Sequence, residues 1–274
     1  MQYDLFNQKK YKFFSLGSGS SGNCYYLGTN DHGILIDAGI GIRTVKKALR
    51  EYGVAMEKIV GIIVTHDHAD HVKTVGCFGN KMNIPVYATE AVHDGICRNK
   101  YLNTEILLSK KVIEKGVPFT VHSFDITAFE VPHDSLENVG YRITFDNQTL
   151  VILTDVGRIT DTIRSYAANA DHLLMEANYD ETMLANGRYP YYLKQRITSG
   201  MGHISNRLSA AFIADMYNDN LQNIWLCHLS QDNNRPELAY ATVEQALSCN
   251  GIVVGRDVRL EALSRHKVSG LREF

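Results

Sequence analysis

The sequence has no long apolar run, no paired cysteines and no excess of basic residues. No stretch of about 18 consecutive apolar residues occurs, so a membrane-spanning helix is not predicted. The five cysteines form no Cys-x-x-Cys pair and are odd in number, which argues against a disulfide framework or a zinc ribbon and favours a reducing compartment. Residues 1–12 lack the apolar core of a signal peptide. We therefore expect a cytoplasmic protein without membrane contact.

The formal net charge is only −2, whereas proteins that coat nucleic acid non-specifically are usually basic. Any contact with nucleic acid must therefore use a local patch. Hydrophobic residues make up 45% of the chain, which is enough for a large core. Because the chain shows no low-complexity tract, repeat or linker, we predict one domain over residues 1–274. No feature of the sequence indicates an oligomeric state.

Hydrophobic patterning predicts many short strands, with helices inserted at intervals and again near the end. Residues 59–64 form a continuous β-branched run, typical of a strand that is buried on both faces. The pattern fits an α/β sandwich, in which two sheets pack face to face and helices cover the outer faces. Further strands are predicted at residues 23–27, 34–36, 85–88, 124–131, 139–145, 150–153, 172–175 and 223–227, and helices at residues 43–52, 161–168, 206–217 and 236–247.

A cluster of histidine and aspartate follows the predicted strand at residues 59–64. Its sequence is His66-Asp67-His68-Ala69-Asp70-His71. Alternate residues of an extended segment face the same way, so His66 and His68 can bind one metal ion. Asp70 and His71 are predicted to open a helix, which turns them toward a second ion. Imidazole and carboxylate ligands suit zinc, manganese or iron, and a solvated surface loop is the poorer alternative.

Further ligands must come from other parts of the chain, because one hexapeptide cannot complete the coordination of two ions. His133, Asp155 and His228 each follow a different predicted strand. If these strands end at a common edge of the sheets, the three side chains meet the hexapeptide. A carboxylate such as Asp155 can bridge two metal ions, which imidazole does not do readily. The sequence therefore predicts a site for two divalent ions.

These motifs resemble the metallo-β-lactamase superfamily over nearly the whole chain, and within it the YycJ (WalJ) subfamily. The resemblance rests on the His-x-His-x-Asp-His cluster, on His133, on residues 154–157 and on His228. Segments similar to the subfamily are residues 16–23, 36–39, 65–68, 194–197, 202–206 and 228–234. The resemblance implies an αββα sandwich and 5′-to-3′ exonuclease activity on DNA.

The resemblance also implies a role for each candidate ligand. The residues that would hold one ion are His66, His68 and His133. The residues that would hold the other are Asp70, His71 and His228. Asp155 would bridge the two ions, and Asp70 would also be needed for catalysis. Asp37 would lie behind the ions and accept a hydrogen bond from a ligand, although a turn-capping carboxylate is the alternative.

Phosphodiester cleavage needs a proton for the leaving oxygen, and His203 is the candidate donor. It precedes a predicted helix and resembles the histidine that tRNA 3′-processing relatives use without binding metal. Glu176 occupies a position from which it can orient this imidazole. The alternatives are a helix-cap histidine and a solvated acid at the end of a strand.

Residues 188–207 contain no Asp or Glu, but they hold four cations interleaved with three tyrosines. Positive charge binds phosphate and aromatic rings stack on bases, so Lys194 and Arg196 are predicted to contact a nucleic-acid substrate, with Asn206 close by. A solvated basic loop is the alternative.

A glycine-rich loop at residues 17–22 lacks the lysine of a phosphate-binding loop. Substrate can still contact two polar residues of this loop, Ser20 and Ser21, and Asn23 directly after it.

Together these features predict a dinuclear metal-dependent phosphodiesterase that acts on DNA rather than RNA. Two alternatives stay open, because fold alone does not fix a substrate. One is a small-molecule hydrolase of a cyclic phosphodiester or a thioester, which the modest size and charge allow. The other is a metal-stabilised regulatory protein of a two-component cell-wall pathway.

Overall fold

The computed structural model describes residues 10–99 and 108–274. Its strands form two mixed sheets of seven strands each. The first sheet has, from edge to edge, β14 (Arg272–Glu273), β1 (Lys12–Gly17), β2 (Cys24–Gly28), β3 (Gly33–Ile36), β4 (Ile59–Ile63), β5 (Val86–Ala88) and β6 (Lys110–Val112). The second has β13 (Arg259–Ala262), β12 (Asn223–Cys227), β11 (His172–Glu176), β10 (Gln148–Leu153), β9 (Val139–Phe145), β8 (Phe124–Glu130) and β7 (Phe119–Val121).

Helices lie between the strands and outside the sheets. They are α1 (Ile42–Glu51), α2 (Ala69–Val72), α3 (Val75–Met82), α4 (Glu90–Arg98), α5 (Asp161–Ala167), α6 (Glu181–Asn186), α7 (Tyr191–Thr198), α8 (Asn206–Met216) and α9 (Pro236–Cys249), with a 3-10 turn at Met56–Lys58. Among the described residues, none of these helices is both long enough and apolar enough to cross a bilayer.

The core has three layers of apolar side chains, as expected when two sheets pack together beneath outer helices. The layer between the sheets contains Phe13, Tyr25, Tyr141 and Trp225. A second layer packs the first sheet against α1, α3 and α4. A third packs the second sheet against α5, α8 and α9. The predicted sandwich is therefore confirmed.

The carboxyl ends of the parallel strands bring the candidate residues to one region. Strands β3 to β6 run parallel to one another, and so do strands β10 to β13. The inner strands β3, β4, β10, β11 and β12 are buried along almost their whole length, which explains their largely apolar sequences. Ligands usually bind at the carboxyl ends of such strands, and polar side chains follow β3, β10 and β12 there.

Helices α6 and α7 form a small addition between β11 and α8. They pack on a separate apolar cluster of Tyr179, Leu184 and Ile197, with Tyr189 and Leu193 partly buried against it. Neither helix is predicted from the sequence, because each buries only one side chain fully and so shows no apolar stripe. Their position matters because α7 borders the candidate site.

Candidate metal centre

Three strands end in a residue with left-handed backbone. Asp37, Asp155 and His228 follow β3, β10 and β12, with φ angles of 58°, 55° and 52°. Aspartate and histidine are enriched among the few non-glycine residues that adopt this conformation. All three side chains are almost completely buried, with exposed fractions of 0%, 2% and 3%. The chain thus turns sharply at the end of each of these strands, and all three polar side chains lie in one buried cluster.

Helix α2 is held against the end of β3 by backbone contacts. The Asn23 amide donates to the Asp70 carbonyl, and the Ala38 amide donates to the His71 carbonyl, both at 2.7 Å. Gly39 lies so close that a Cβ atom there would be 1.6 Å from the Asp70 carbonyl oxygen. Glycine at position 39 therefore permits the approach that brings Asp70 and His71 into the cluster.

The structure brings all seven candidate ligands together. Their donor atoms form overlapping groups within which the atoms lie no more than 4.8 Å apart. These groups are His66, His68 and His133; Asp70, His71 and His228; His66, His71 and Asp155; and Asp155 with Glu176, His203 and His228. Residues from both sheets contribute, as the prediction from the strand ends requires.

Three buried imidazole nitrogens in the centre have no hydrogen-bond partner among residues 10–99 and 108–274. They are the Nε2 atoms of His66, His133 and His228. Leaving a buried polar atom unpaired costs about 1–3 kcal/mol, so such atoms call for an explanation. The Nδ1 atom of each ring is engaged, by the Thr65 hydroxyl at 3.0 Å, the Gly202 carbonyl at 2.8 Å and the Glu176 carboxylate at 2.8 Å, respectively. In metal-binding histidines, one ring nitrogen is held by a hydrogen bond and the other faces the metal, and these three rings have that arrangement. Their donor atoms therefore fit a divalent metal ion.

Asp155 lies between the two groups of ligands. Its Oδ1 atom is 3.6 Å from Nε2 of His133, and its Oδ2 atom is 3.2 Å from Nε2 of His71. Burial by itself would raise the pKa of Asp155, but the charges of His228, His71 and His66 hold it well below its ordinary value. The carboxylate is therefore ionised, and its Oδ1 atom also lies 3.4 Å from Nδ1 of His228.

The imidazoles differ in their electrostatic surroundings. Burial holds the pKa values of His66 and His133 below the ordinary value, so both rings stay neutral and keep a lone pair for a metal. Burial also acts to lower the pKa of His228, but the neighbouring carboxylates of Asp155, Asp70 and Glu176 raise it to about 10. Carboxylates thus concentrate negative charge around His228, which favours a bound cation there.

Asp37 supports two parts of the centre. Its Oδ2 atom accepts from Nδ1 of His71 at 2.7 Å, and its Oδ1 atom accepts from the Thr65 amide at 2.8 Å. The hydroxyl of Thr65 also donates to Asp37 at 3.0 Å. The structure thus places Asp37 behind a candidate ligand, where the resemblance located it.

Glu176 holds two histidines at once. Its Oε1 atom accepts from Nδ1 of His203 and from Nδ1 of His228, each at 2.8 Å. Its Oε2 atom accepts from the Val156 amide at 2.7 Å. The carboxylate is completely buried, so it is not a solvated acid at the end of a strand. One residue therefore couples the orientation of a candidate ligand to that of the candidate acid.

His203 reaches solvent through a small pocket. Its side chain is 22% exposed and lines a space of about 180 Å³ next to His228. Burial acts to lower the pKa of His203, but the charge and hydrogen bond of Glu176 raise it above the ordinary value. Glu176 therefore stabilises the protonated form of this imidazole, which has one edge open to the pocket.

The predicted substrate contacts fall into two groups. Ser20 and Arg196 line the same pocket as His203, while Ser21 is exposed beside His266 and Lys194 lies on the outer side of α7. The other two predicted contacts, Asn23 and Asn206, are buried and are therefore not placed to contact substrate directly. Asn23 donates to the Gly19 carbonyl and lies 2.9 Å from Nε2 of His71, and Asn206 exchanges two hydrogen bonds with Asn234. This burial favours a structural role for Asn23 and Asn206.

Sequence reasoning missed several residues of the pocket. Asp134 follows His133 directly and accepts a hydrogen bond from Nε of Arg196, which it holds at the mouth. Asn178 donates to the His228 carbonyl at 2.8 Å. Proximity to His133 and Glu176 along the chain is the signal that points to these two. Tyr189, one of the three tyrosines in residues 188–207, and Ser230, in the subfamily-like segment 228–234, also line the pocket.

Comparison with known proteins places this geometry in a family. A family profile described as "Beta-lactamase superfamily domain" matches residues 32–226. The chain is 35% identical to the exodeoxyribonuclease WalJ of Streptococcus pneumoniae (strain D39), over 96% of this chain and 98% of that protein. It is also 35% identical to the exodeoxyribonuclease YycJ of Bacillus anthracis, over 89% of this chain and 91% of that protein.

The fold is also similar to that of the metallo-β-lactamase fold protein YhfI from Bacillus subtilis. The TM-score is 0.71 at 20% sequence identity, and the match covers 97% of this chain and 100% of that one. At this identity the likeness concerns the fold alone. The relation to WalJ and YycJ, in contrast, extends over nearly the full length of the sequences.

Proposed function

Because this chain belongs to the metallo-β-lactamase superfamily, and within it to the group of WalJ and YycJ, we propose that it is a metal-dependent exonuclease acting on DNA in the 5′-to-3′ direction. The observation that carries the proposal is the meeting of seven candidate ligands in one buried cluster. The unpaired Nε2 atoms of that cluster support metal binding, and the names of the full-length relatives support DNA as substrate.

The centre would take two divalent ions, with zinc, manganese or iron as the candidates. One ion would be held by His66, His68 and His133, and the other by Asp70, His71 and His228. Asp155 would be the shared ligand, because its oxygens lie near His71 and His133. When bound, such ions neutralise the charge of a phosphodiester and lower the pKa of water.

The protein's own groups orient the ligands and move the proton. Asp37 fixes the ring of His71, and Glu176 fixes the rings of His228 and His203. His203 then donates its proton to the leaving oxygen, since its pKa is raised and it faces the pocket. Ser20 and Arg196 lie at the same pocket and contact the phosphate, with Ser21 and Lys194 further out.

A digest of end-labelled DNA tests the activity and its direction. The full chain, loaded with Mn²⁺ or Zn²⁺, should release a 5′ label as mononucleotide from the outset. A 3′ label should instead appear on progressively shorter products. Absence of cleavage at a measured content of about two ions per chain would contradict the proposal. The reverse pattern of labels would overturn the direction alone.

The role of His203 can be separated from metal binding with two substrates. His203→Gln should lower kcat on DNA by about 10²–10⁴-fold, because the leaving oxygen lacks its proton donor. On bis-p-nitrophenyl phosphate the loss should be small, since p-nitrophenolate leaves without a proton. Metal content, measured by elemental analysis, should equal that of the wild type. Equal losses on both substrates would assign His203 to another role.

A small-molecule phosphodiesterase is the second candidate function. The pocket beside His203 holds only about 180 Å³, which suits a small ester as well as the end of a strand. A panel of cyclic phosphodiesters and thioesters, run beside the DNA digest, discriminates between the two. Rapid turnover of one of these with inert DNA would favour this candidate.

A further inference from the structure

Helix α7 has two different faces, each bordering its own cavity. Leu193, Arg196 and Ile197 line the pocket that contains His203. Tyr191 and Lys194, on the other face, line a second and larger cleft with residues of α6. The helix is therefore a wall between the candidate metal centre and an outer binding space.

The two spaces differ in capacity. The inner pocket holds about 180 Å³ and the outer cleft about 710 Å³. Sites for drug-sized ligands usually measure about 300–1,000 Å³, so the inner pocket can take a phosphodiester but not a longer piece of nucleic acid. A polynucleotide cut at the metal centre must continue outside this pocket, and the outer cleft lies directly across α7.

Two adjacent tyrosines project from this wall. Tyr191 is 75% exposed and Tyr192 is 73% exposed. Their side chains contribute nothing to the apolar cluster beneath α7. The Tyr191 hydroxyl accepts a hydrogen bond from Gln195 of the same helix at 2.8 Å. Exposed aromatic rings beside cations are the usual platform on which unpaired bases stack.

The charge around the tyrosines is positive. Residues 188–214 contain no Asp or Glu. Arg188 is exposed, and among the described residues no acidic side chain pairs with it. Nζ of Lys194 donates to the Ala185 carbonyl at 2.7 Å, which fixes its charge at the rim of the outer cleft without neutralising it. The acid at this rim, Glu181, is already paired with Arg207 at 3.0 Å.

We propose that the exposed surface of α7 beside the outer cleft binds an unpaired DNA strand, with Tyr191 and Tyr192 stacking on its bases and Arg188 and Lys194 contacting its phosphates. This inference rests on the proposed nuclease function and adds a substrate requirement to it. A helix with its side chains is about 10–12 Å wide and stacked bases are about 3.4 Å apart, so the stacked bases lie about three nucleotides from the scissile phosphate. The enzyme should therefore favour single strands longer than this over very short ones.

Strand binding is tested with the full-length, metal-loaded chain and a fluorescent single strand of about 12 nucleotides, a length within the range of single-strand binding sites. Tyr191→Ala/Tyr192→Ala should weaken binding, measured by fluorescence anisotropy, by at least about tenfold. The matched control is Tyr191→Phe/Tyr192→Phe, which keeps both rings and should bind nearly as well as the wild type. Both double variants should hydrolyse bis-p-nitrophenyl phosphate at the wild-type rate, because this ester does not reach the outer cleft.

Cleavage gives a second readout through substrate length. The wild type should show a higher kcat/KM on the longer strand than on a dinucleotide, and the alanine variant should lose this difference. Equal binding and equal length dependence in wild type and alanine variant would overturn the inference and leave the nuclease proposal standing. A wild type that binds the strand through these tyrosines without cutting it would support the inference and overturn the nuclease proposal. A wild type that does not bind the strand would overturn the inference.

Discussion

Asp155 illustrates how single residues define the candidate centre. It leaves β10 with a positive φ, a conformation that costs about 1–3 kcal/mol in a non-glycine residue unless the surroundings compensate for it. Asp37 and His228 show the same backbone at the ends of their strands. Such conformations concentrate at functional sites, and here the three residues all direct polar side chains to one point.

We predict that Asp155→Asn lowers metal occupancy. Asparagine tolerates the left-handed backbone but lacks the charge that faces both groups of ligands. We expect a loss of metal affinity of at least about a hundredfold, measured by isothermal titration calorimetry and elemental analysis. Asp134→Asn is the control, because it removes a carboxylate of the adjoining pocket that is in none of the ligand groups. Equal metal binding in both variants would contradict the bridging role.

His172 shows a different use of a buried histidine, away from the candidate ligands. It is fully buried, its Nε2 atom donates to Gln148 and its Nδ1 atom accepts from Asn223, both at 2.9 Å. Burial lowers the pKa of His172 to about 3, so the folded protein keeps the ring neutral. The unfolded chain takes up a proton below about pH 6.5, so this stabilisation is present above that pH and is lost as the pH falls toward 3.

His172→Gln should therefore reduce the acid sensitivity of the fold. Between about pH 7.5 and pH 5, the wild type should lose about 2 kcal/mol more free energy of unfolding than the variant. Urea unfolding of both chelated proteins at the two pH values measures the difference, and the other titrating groups cancel in it. An equal loss in the two proteins would show that His172 does not contribute to acid unfolding.

At the scale of elements, helix α2 depends on the strand end it packs against. Its four residues are too few to be stable alone, so backbone hydrogen bonds from Asn23 and Ala38 hold it in place. The close approach of Gly39 to the Asp70 carbonyl completes this contact. The ligands on α2 are thus positioned by tertiary contacts rather than by helix propensity.

We predict that Gly39→Ala displaces α2. The added methyl group overlaps the Asp70 carbonyl, so we expect a loss of about 1–3 kcal/mol in the free energy of unfolding and weaker metal binding. Gly41→Ala is the control, since the nearest atom to a Cβ there is 3.9 Å away. Thermal unfolding and metal titration of both variants provide the comparison. Similar behaviour of the two would show that α2 tolerates the overlap.

At the scale of the molecule, the candidate centre joins the two sheets. The ligands His66, His68, Asp70 and His71 follow strand β4 of the first sheet. The remaining ligands come from the second sheet and the loop after β8. Ions held between them would link the two halves of the sandwich and bind only the folded chain.

Removal of metal should therefore lower the unfolding temperature. An ion present at about 1,000 times its dissociation constant stabilises the folded state by about 4 kcal/mol, which corresponds to roughly 10 °C for a chain of this size. Calorimetry before and after chelation measures the shift. Asp155→Asn should show a smaller shift, because it binds metal less tightly. An unchanged unfolding temperature after complete metal removal would contradict the link between the sheets.

The sequence alone determined those features of the protein that depend only on residues close together in the chain. The buried run at residues 59–64 and the hexapeptide after it stand together in the chain, so a strand followed by metal ligands is predictable. Helices α1, α5, α8 and α9 each bury at least two side chains on one stripe, and the structure has them within two residues of the predicted bounds. Helices α6 and α7 are not predicted because each buries only one side chain fully, so neither shows such a stripe. Helices α3 and α4 are not predicted either, and both contain glycine, which weakens a helical pattern.

Only the tertiary structure decided what depends on distant parts of the chain. Three features result from contacts between segments far apart in sequence. They are the hydrogen bonds of Glu176 to both His203 and His228, the burial of Asn23 and Asn206, and the two different faces of α7. Sequence patterning records which residues prefer burial, whereas the packing of the sheets fixes which buried groups meet. For that reason the residue types of the centre follow from the sequence, but their geometry and the surface around them follow from the fold.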